Sequence, residues 1–186
     1  KVFPEEDIIQ QWTEITHHEK GKVYLGRYAS SMLYLEATNY YLTEFTSDWA
    51  KEMQIQSQEL KFGKKVLDSR LGARANFMAQ PFFEVGIGSP VSEDEGTVLM
   101  GTLGWTGNFR FTFEVDNQRV LRVISGINHD ASTYLLKKDD TFRTADFYFT
   151  LSNKGVGEGS RRFQRWMMNH QLHKANIRKA DVRRRQ

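Results

Sequence analysis

The sequence predicts a mainly β protein, an antiparallel sandwich or barrel that ends in one helix, and three patterns carry this prediction. The run Phe109–Val115 places Phe or Val at every second position, as in a strand with one buried face. Many short runs of β-forming residues follow one another at close spacing, with polar turns between them. Apolar residues in Glu158–His173 recur instead at helical spacing.

In the first part of the chain, β-branched and aromatic residues or strict alternation mark the strands. Strands are predicted at Ile8–His18, Val23–Leu25, Ser30–Glu36, Asn39–Thr46 and Trp49–Leu60. The beginning of the last segment also tolerates a helix, but the alternation in Met53–Gln58 favours a strand. Lys61–Leu71 is basic and irregular and Gly72–Gln80 has few apolar residues, so neither is predicted to be a strand.

In the second part, proline, glycine and acidic residues separate the strands. Strands are predicted at Pro81–Ile87, Val98–Leu103, Phe109–Val115, Val120–Ile124 and Phe147–Leu151. Gly104 and Gly107 bracket Trp105 between two of them, and we expect a bend there that uses positive φ values.

The predicted helix carries Phe163, Trp166 and Met167 on one stripe, which should pack against the sheets. It follows the glycine-rich run Gly155–Gly159. This run lacks the Gly-Lys-Ser/Thr signature of a phosphate loop, and Glu158 would repel an anion. We therefore interpret the run as a strand-to-helix turn.

Composition restricts the class of protein. The 186 residues contain no cysteine, which excludes disulfides and thiolate metal sites, and no apolar run reaches the roughly 18 residues of a membrane span. Residues 160–186 hold nine Lys or Arg and one acidic residue, which leaves 17 basic and 22 acidic residues in 1–159. An acidic body argues against a general nucleic-acid binder, and no aromatic residue follows Trp166 to stack on bases.

No polar cluster in the sequence is a strong candidate for a metal or cofactor site. His170 and His173 have a possible ligand spacing, i and i+3, but no carboxylate motif lies near them. Glu93-Asp94-Glu95 reads as a solvated hairpin tip, because no apolar neighbour would raise a carboxyl pKa there. His17 and His18 are adjacent on a predicted strand and should point to opposite faces, so they are poor joint ligands. We predict no metal and no cofactor.

The four tryptophans are spread along the chain, and most should be core residues because each buries a large apolar area. Trp105 lies at a turn, however, and Trp49 precedes a polar segment. An indole in such a position can present its face to the C–H groups of a sugar ring. Trp49 and Trp105 are therefore the candidate substrate contacts.

Taken in order, several runs resemble the N-terminal β-sandwich domain of glycoside hydrolase family 36, the α-galactosidases. Asp68–Gly72 followed by Gln80–Phe83 is similar to the family's Ser-Arg-x-Gly … Asn-Pro-Phe-Phe, and Leu103–Phe109 is similar to its Ala-Trp-Ser-Gly-Asn-Trp. The other similar runs are Arg27–Ser31, Tyr41–Phe45, Asp48–Glu52, Gly126–Asn128 and Ser152–Arg161. Within residues 12–172 the pattern departs at Ala75, Gln80 and Gln164, where Ser, Asn and His are usual.

The resemblance implies an antiparallel β super-sandwich over residues 1–157, truncated at its start. Residues 158–186 would form a linker helix and basic tail that lead to a catalytic (β/α)₈ barrel of around 250 residues. Family members are retaining enzymes whose nucleophile and acid/base are both Asp in that barrel. The resemblance thus implies no catalytic residue in this chain.

The function expected from the resemblance is that of a non-catalytic domain in an enzyme that hydrolyses terminal α-galactosides. Its partners would be an α-galactoside oligosaccharide in the parent enzyme, its own catalytic barrel and further copies in a homo-oligomer, without nucleic acid or membrane. A stand-alone carbohydrate-binding sandwich is the alternative, and binding of nucleic acid through the tail 174–185 is a third. The sequence leaves the cellular compartment open.

Overall fold

The computed structural model describes residues 1–74, 77–130 and 133–172, in which two antiparallel sheets pack face to face and one helix covers the larger sheet. The strands are β1 (Val2–Phe3), β2 (Ile8–Gln11), β3 (Glu14–Thr16), β4 (Lys22–Leu25), β5 (Ser31–Glu36), β6 (Tyr40–Asp48), β7 (Lys51–Glu59), β8 (Gly63–Asp68), β9 (Ala79–Ile87), β10 (Thr97–Gly104), β11 (Phe109–Val115), β12 (Val120–Ile127), β13 (Tyr134–Lys137), β14 (Thr141–Arg143) and β15 (Asp146–Ser152). Helix α1 spans Gly155–Trp166 and continues as a π-helical segment, Met167–Leu172; a 3₁₀ turn lies at Gly72–Arg74.

The seven-stranded sheet has the order β1-β2-β15-β10-β9-β6-β7, and the four-stranded sheet has the order β5-β12-β11-β8. Two ribbons, β4 with β13 and β3 with β14, lie beside them. The predicted mainly β sandwich with a C-terminal helix is confirmed.

The core between the sheets is built from phenylalanine. Phe109, Phe111 and Phe113 of β11 are fully buried and alternate with half-buried polar residues, as the sequence predicts. From the opposite sheet, Phe83 places its ring centroid 5.0 Å from that of Phe111 and 4.9 Å from that of Phe113, both in edge-on geometry. These contacts hold the two sheets at a fixed spacing.

The prediction that Lys61–Leu71 is irregular is wrong, because this segment contains β8. The strand pairs with β11 from Asp68–Arg110 to Gly63–Val115. Only Leu67 is fully buried, which leaves little hydrophobic signal. Lys65 is instead held by an ion pair with Glu44 of the other sheet, at 2.9 Å.

The strands of the two ribbons also differ from those predicted from the sequence. The predicted strand Ile8–His18 divides into β2 and β3, and the backbone N–H of Thr13 between them donates to the Thr144 hydroxyl at 2.9 Å. Strands β13 and β14 were not predicted. Each has three or four residues and is paired with a distant segment, so its local pattern is weak.

Helix α1 begins at Gly155 rather than at Glu158. The backbone N–H groups of Gly155, Val156 and Gly157 donate to the carbonyls of Gly96, Ser92 and Glu93 at 2.9–3.0 Å. The glycine run is therefore the first turn of the helix and not a turn before it. Its free N–H groups are satisfied by the β9–β10 loop instead of by an anion.

The helix packs across the outer face of the seven-stranded sheet. Phe163 contacts Phe82 edge-on, and Trp166 lies between Phe3 and Tyr148. The α-helix ends at Trp166 and not at His173, which lies outside the described residues, as does the basic tail. In the described part of the chain no helix has the length and apolar character needed to cross a membrane.

Candidate functional site

The two tryptophans predicted as sugar contacts lie at the same end of the sandwich. Trp49 follows β6 and Trp105 follows β10, and both strands pair antiparallel with β9 between them, so they run in the same direction. Adjacent strands lie about 4.8 Å apart, so β6 and β10 are separated by roughly 10 Å. We call the loops that carry Trp49 and Trp105 the tryptophan end.

Trp49 occupies the tip of the β6–β7 hairpin and is 86% exposed. The carboxylate of Asp48 accepts a hydrogen bond from the Trp49 N–H at 2.7 Å, and Ala50 takes a φ of 57°. The Ser47 hydroxyl accepts hydrogen bonds from the Met53 N–H and from Gln80 Nε2, at 3.2 and 2.7 Å. These hydrogen bonds define the conformation of the hairpin tip, which holds an uncovered indole out from the sandwich.

Trp105 is 43% exposed, and its indole folds back over the turn that carries it. A Cβ on Gly107 would lie 2.7 Å from the Trp105 Nε1, and a Cβ on Gly104 would lie 2.9 Å from the Tyr148 ring. Neither glycine has a positive φ, so that expectation is wrong. The turn needs glycine because the aromatic rings approach its backbone closely.

Trp105 lines a groove of about 440 Å³ together with residues that come from β13, β14 and β15. Tyr134 adds a second exposed aromatic face. Arg143 and Asp146 form the polar wall, with 2.5 Å between Nη2 and Oδ1. The Arg143 guanidinium also lies 4.7 Å from the ring centre of Trp12, which fixes its orientation.

Tyr148 supports the polar wall from behind. Its hydroxyl donates to Asp146 at 3.4 Å, and burial followed by the nearby Asp146 carboxylate raises the pKa of Tyr148 to about 12. The phenol therefore stays protonated at neutral pH and remains a donor. Aromatic faces beside a fixed Arg–Asp pair can bind a polar ring with apolar C–H groups, as a sugar has.

Glu84 is a further candidate, beyond those predicted from the sequence. This residue lies on the outer face of β9, near Glu93 of the β9–β10 loop. Burial, followed by the negative charge of Glu93, raises its pKa to about 7. A carboxyl with such a pKa is a candidate general acid. Neither glutamate lines the Trp105 groove, however, and the pair lies beside the helix start.

Glu84 should make stability depend on pH. Because its pKa is 4.5 when unfolded and about 7 when folded, the free energy of unfolding should fall as the pH rises from 4.5 to 7. At about 1.4 kcal/mol per unit, the 2.5 units from pH 4.5 to pH 7 give an upper bound of about 3.5 kcal/mol, which the partial solvent exposure of Glu84 lowers. Glu84→Gln should remove this slope and be the more stable protein at pH 8. Urea unfolding from pH 4 to pH 8 tests this, and parallel profiles for both proteins would contradict it.

The other polar residues considered in the sequence do not form a common site. Glu93-Asp94-Glu95 is exposed, as expected for a hairpin tip, although the Glu93 carbonyl binds the helix start. His17 is buried and His18 is exposed, and the Nδ1 atom of His18 lies 3.4 Å from the Oδ1 atom of Asp139. Both histidines follow strand β3, so they are not part of a strand as predicted. Within residues 1–74, 77–130 and 133–172, no group of three or more His, Asp or Glu residues is arranged to hold a metal ion.

Comparison with known proteins identifies the sandwich. The family model described as the glycosyl hydrolase family 36 N-terminal domain matches residues 1–137. Alpha-galactosidase 2 of Hypocrea jecorina is 27% identical over 169 residues, which are 91% of this chain and 22% of that protein. Alpha-galactosidase AgaA of Geobacillus stearothermophilus is 25% identical over 174 residues, with 90% of this chain and 23% of that protein covered.

Solved structures of α-galactosidases contain the same sandwich fold. The crystal structure of the α-galactosidase from Lactobacillus brevis superimposes with a TM-score of 0.85 at 27% identity, over 89% of this chain and 22% of that one. AgaA from Geobacillus stearothermophilus, crystallised with stachyose, has the same fold, with a TM-score of 0.83 over 88% of this chain and 22% of that one. The chain thus spans less than a quarter of the length of these relatives. The chain belongs to glycosyl hydrolase family 36 and matches the N-terminal domain of that family.

Proposed function

We propose that this chain is the non-catalytic sandwich domain of a retaining α-galactosidase, and that the reaction takes place in a barrel reached through residues 158–186. The observation that carries the proposal is the joint match in sequence and fold to an α-galactosidase over 89% of the chain. In line with the family resemblance, both catalytic Asp residues would lie in that barrel, and the mechanism would be double displacement. In the parent enzyme the substrate would be a terminal α-galactoside oligosaccharide, and the parent would form a homo-oligomer.

The anchored helix end supports a scaffold role. Glu6 is buried in the β1–β2 turn, where it accepts a hydrogen bond from Asn169 Nδ2 at 2.8 Å, and His170 Nε2 lies 3.2 Å from its second oxygen. The Asn169 hydrogen bond, with a further contribution from His170, holds the pKa of Glu6 below its ordinary value. The carboxylate therefore stays ionised and ties the π-helical segment to the sandwich, so a following domain would leave from a fixed point.

The tryptophan end supports a second role for this domain, in substrate binding. Trp49 projects from a hydrogen-bonded hairpin tip and Trp105 faces a groove, so either indole would form one wall of a sugar pocket whose other walls come from the barrel. In this role the sandwich would bind and orient substrate without transferring a proton.

The gene product that carries this chain should hydrolyse a chromogenic α-galactoside. Raffinose and stachyose are suitable natural substrates to compare, because the relative AgaA was crystallised with each of them. Inactivity toward a panel of α- and β-glycosides would contradict the hydrolase assignment.

A stand-alone carbohydrate-binding function is favoured by one observation, the groove with two exposed aromatic residues and a fixed Arg–Asp pair. Under this alternative, an α-galactoside oligosaccharide should bind in the absence of any hydrolysis. Trp105→Ala should then weaken binding at least tenfold, about 1.4 kcal/mol, in a calorimetric titration. Tyr24→Ala, which removes an exposed aromatic side chain outside the groove, is the control. Equal binding by both variants would rule out the groove as the site.

A further inference from the structure

A cavity of about 500 Å³ opens at the end of the sandwich opposite the tryptophan end. Strand β6 begins there at Tyr40, β7 ends there at Glu59, and β11 of the smaller sheet ends there at Val115. The cavity therefore lies in the mouth between the two sheets, and we call it the far-end pocket. Its volume falls within the range of roughly 300–1,000 Å³ that small-molecule sites occupy.

The floor of the far-end pocket is apolar, and its rim carries an open aromatic face. Tyr40, Leu60 and Val115 line the pocket and are buried. Three backbone groups engage the Tyr40 hydroxyl at 2.6–2.8 Å, so the phenol ring is held in place. Phe62 follows β7 on the rim and is 77% exposed. Its ring is therefore available to pack against the C–H groups of a ligand.

The charged side chains on the rim do not favour an ionic ligand. Two are basic, Lys61 and Arg119, and two are acidic, Glu59 and Asp116. Lys61 forms an ion pair with Glu59, and the Arg119 guanidinium donates to the Thr38 carbonyl at 3.1 Å. The Asp116 carboxylate accepts hydrogen bonds from two backbone N–H groups of its own turn, at 2.9 and 3.0 Å. A rim whose charges are balanced and engaged is complementary to a neutral ligand.

Two amide side chains on the rim are available to such a ligand. Asn39 is half-buried and Asn117 is exposed, and within residues 1–74, 77–130 and 133–172 neither side-chain amide has a hydrogen-bond partner. Each amide can both donate and accept hydrogen bonds. A sugar ring is neutral and has hydroxyls for the two amides and C–H groups for Phe62, so the lining matches a carbohydrate.

Helix α1 leads away from the far-end pocket. It begins against the β9–β10 loop, which lies at the same end as the pocket because Ile87 pairs with Tyr40. It ends at Trp166, which packs on Tyr148 near the start of β15, at the tryptophan end. A barrel that follows the helix would therefore begin at the tryptophan end, and the pocket would stay open. The nine residues of β6 set the two ends about 30 Å apart.

We propose that the far-end pocket is a second carbohydrate site, which binds a sugar unit of a galactoside substrate away from the bond that is cleaved. Phe62 packs against the ring of that unit, and the amides of Asn39 and Asn117 bind its hydroxyls. The choice of a galactosyl unit rests on the proposed function, whereas the preference for a neutral sugar rests on the pocket. A polysaccharide with many galactosyl branches is long enough to occupy this site and the reaction centre together.

Affinity electrophoresis of the full gene product tests the aromatic contact. The probe is galactomannan, a neutral polysaccharide with α-galactosyl branches, cast into a native gel that is run in the cold to limit hydrolysis. Phe62→Ala should raise the apparent dissociation constant roughly fivefold or more, and Phe62→Tyr should retain wild-type binding. Tyr24→Ala, which removes an exposed aromatic side chain outside the pocket, should bind as the wild type does. The reaction centre is the same in all four proteins, so a difference between them reports the pocket.

Two neighbouring amides give a second matched pair. Asn117→Ala should weaken galactomannan binding roughly twofold, and Gln118→Ala, which lies next to it but outside the lining, should leave binding unchanged. Urea unfolding of each variant checks that the fold is kept. No retardation of the wild-type protein, or equal retardation of the wild type, Phe62→Ala and Asn117→Ala, would overturn the proposal. Because binding is measured without hydrolysis, this site and the hydrolase assignment can each fail without the other.

Discussion

Replacing Phe83 with alanine should lower the free energy of unfolding by about 4 kcal/mol. Phe83 is fully buried, and its ring contacts Phe111 and Phe113 of the opposite sheet. The substitution removes the apolar area of the ring and leaves a cavity between two sheets that are each stiffened by hydrogen bonds, so the site can collapse only in part. Urea unfolding of the wild-type and variant proteins measures the difference.

The matched control is Phe62→Ala. Phe62 is 77% exposed, so the same chemical change should alter stability by no more than about 0.5 kcal/mol. Similar losses for the two variants would show that the Phe83 cluster is not the core that joins the sheets.

Gly155→Ala should lower the free energy of unfolding by about 3 kcal/mol. Gly155 has a φ of 69°, where a side chain is strained, and a new Cβ would lie 2.6 Å from the Ser92 carbonyl and also meet that of Glu93. Both contacts are with the backbone that caps the helix, so they cannot be relieved by a change of rotamer. Relief would require the helix start to move away from the β9–β10 loop. Thermal or urea unfolding of the variant measures the loss.

The control Gly72→Ala separates the effect of backbone strain from the effect of the close contact with the β9–β10 loop. Gly72 has a similar φ of 58°, but a Cβ there would meet nothing within 4 Å, so only the backbone strain of about 1 kcal/mol is expected. An equal effect of both substitutions would mean that the close approach of loop and helix contributes nothing.

Several elements follow directly from local pattern, and others depend on contacts that no local pattern contains. The alternation in β11 predicts its buried face because every second residue enters one core. The same reasoning fails for β8, where a single leucine is fully buried and Lys65 pairs with Glu44 across the sandwich. An edge strand stabilised by backbone pairing and by the ion pairs of Lys64 and Lys65 has little hydrophobic periodicity to detect.

The candidate site also contains some residues that local sequence predicts and others that only the fold brings together. Trp49 and Trp105 stand out in the sequence because each is a large apolar residue beside a turn or a polar segment. Tyr134, Arg143 and Asp146 join Trp105 through the pairing of distant segments, which has no counterpart in local spacing. For Glu84 a signal was present: it is a lone charge between Phe83 and Val85, in a strand that is apolar on both faces. A charge in such a place is desolvated wherever it points.

Hydrolysis of a chromogenic α-galactoside by the Glu84→Gln variant of the full gene product tests whether the sandwich takes part in catalysis. Glu84 is the carboxyl of the described residues with a pKa near neutrality, and it takes part in no chemical step of the proposed reaction. We predict that kcat/KM between pH 5 and pH 8 matches that of the wild-type enzyme within about twofold. A loss of more than about a hundredfold, the effect of removing a general acid, would show that the sandwich itself carries out catalysis.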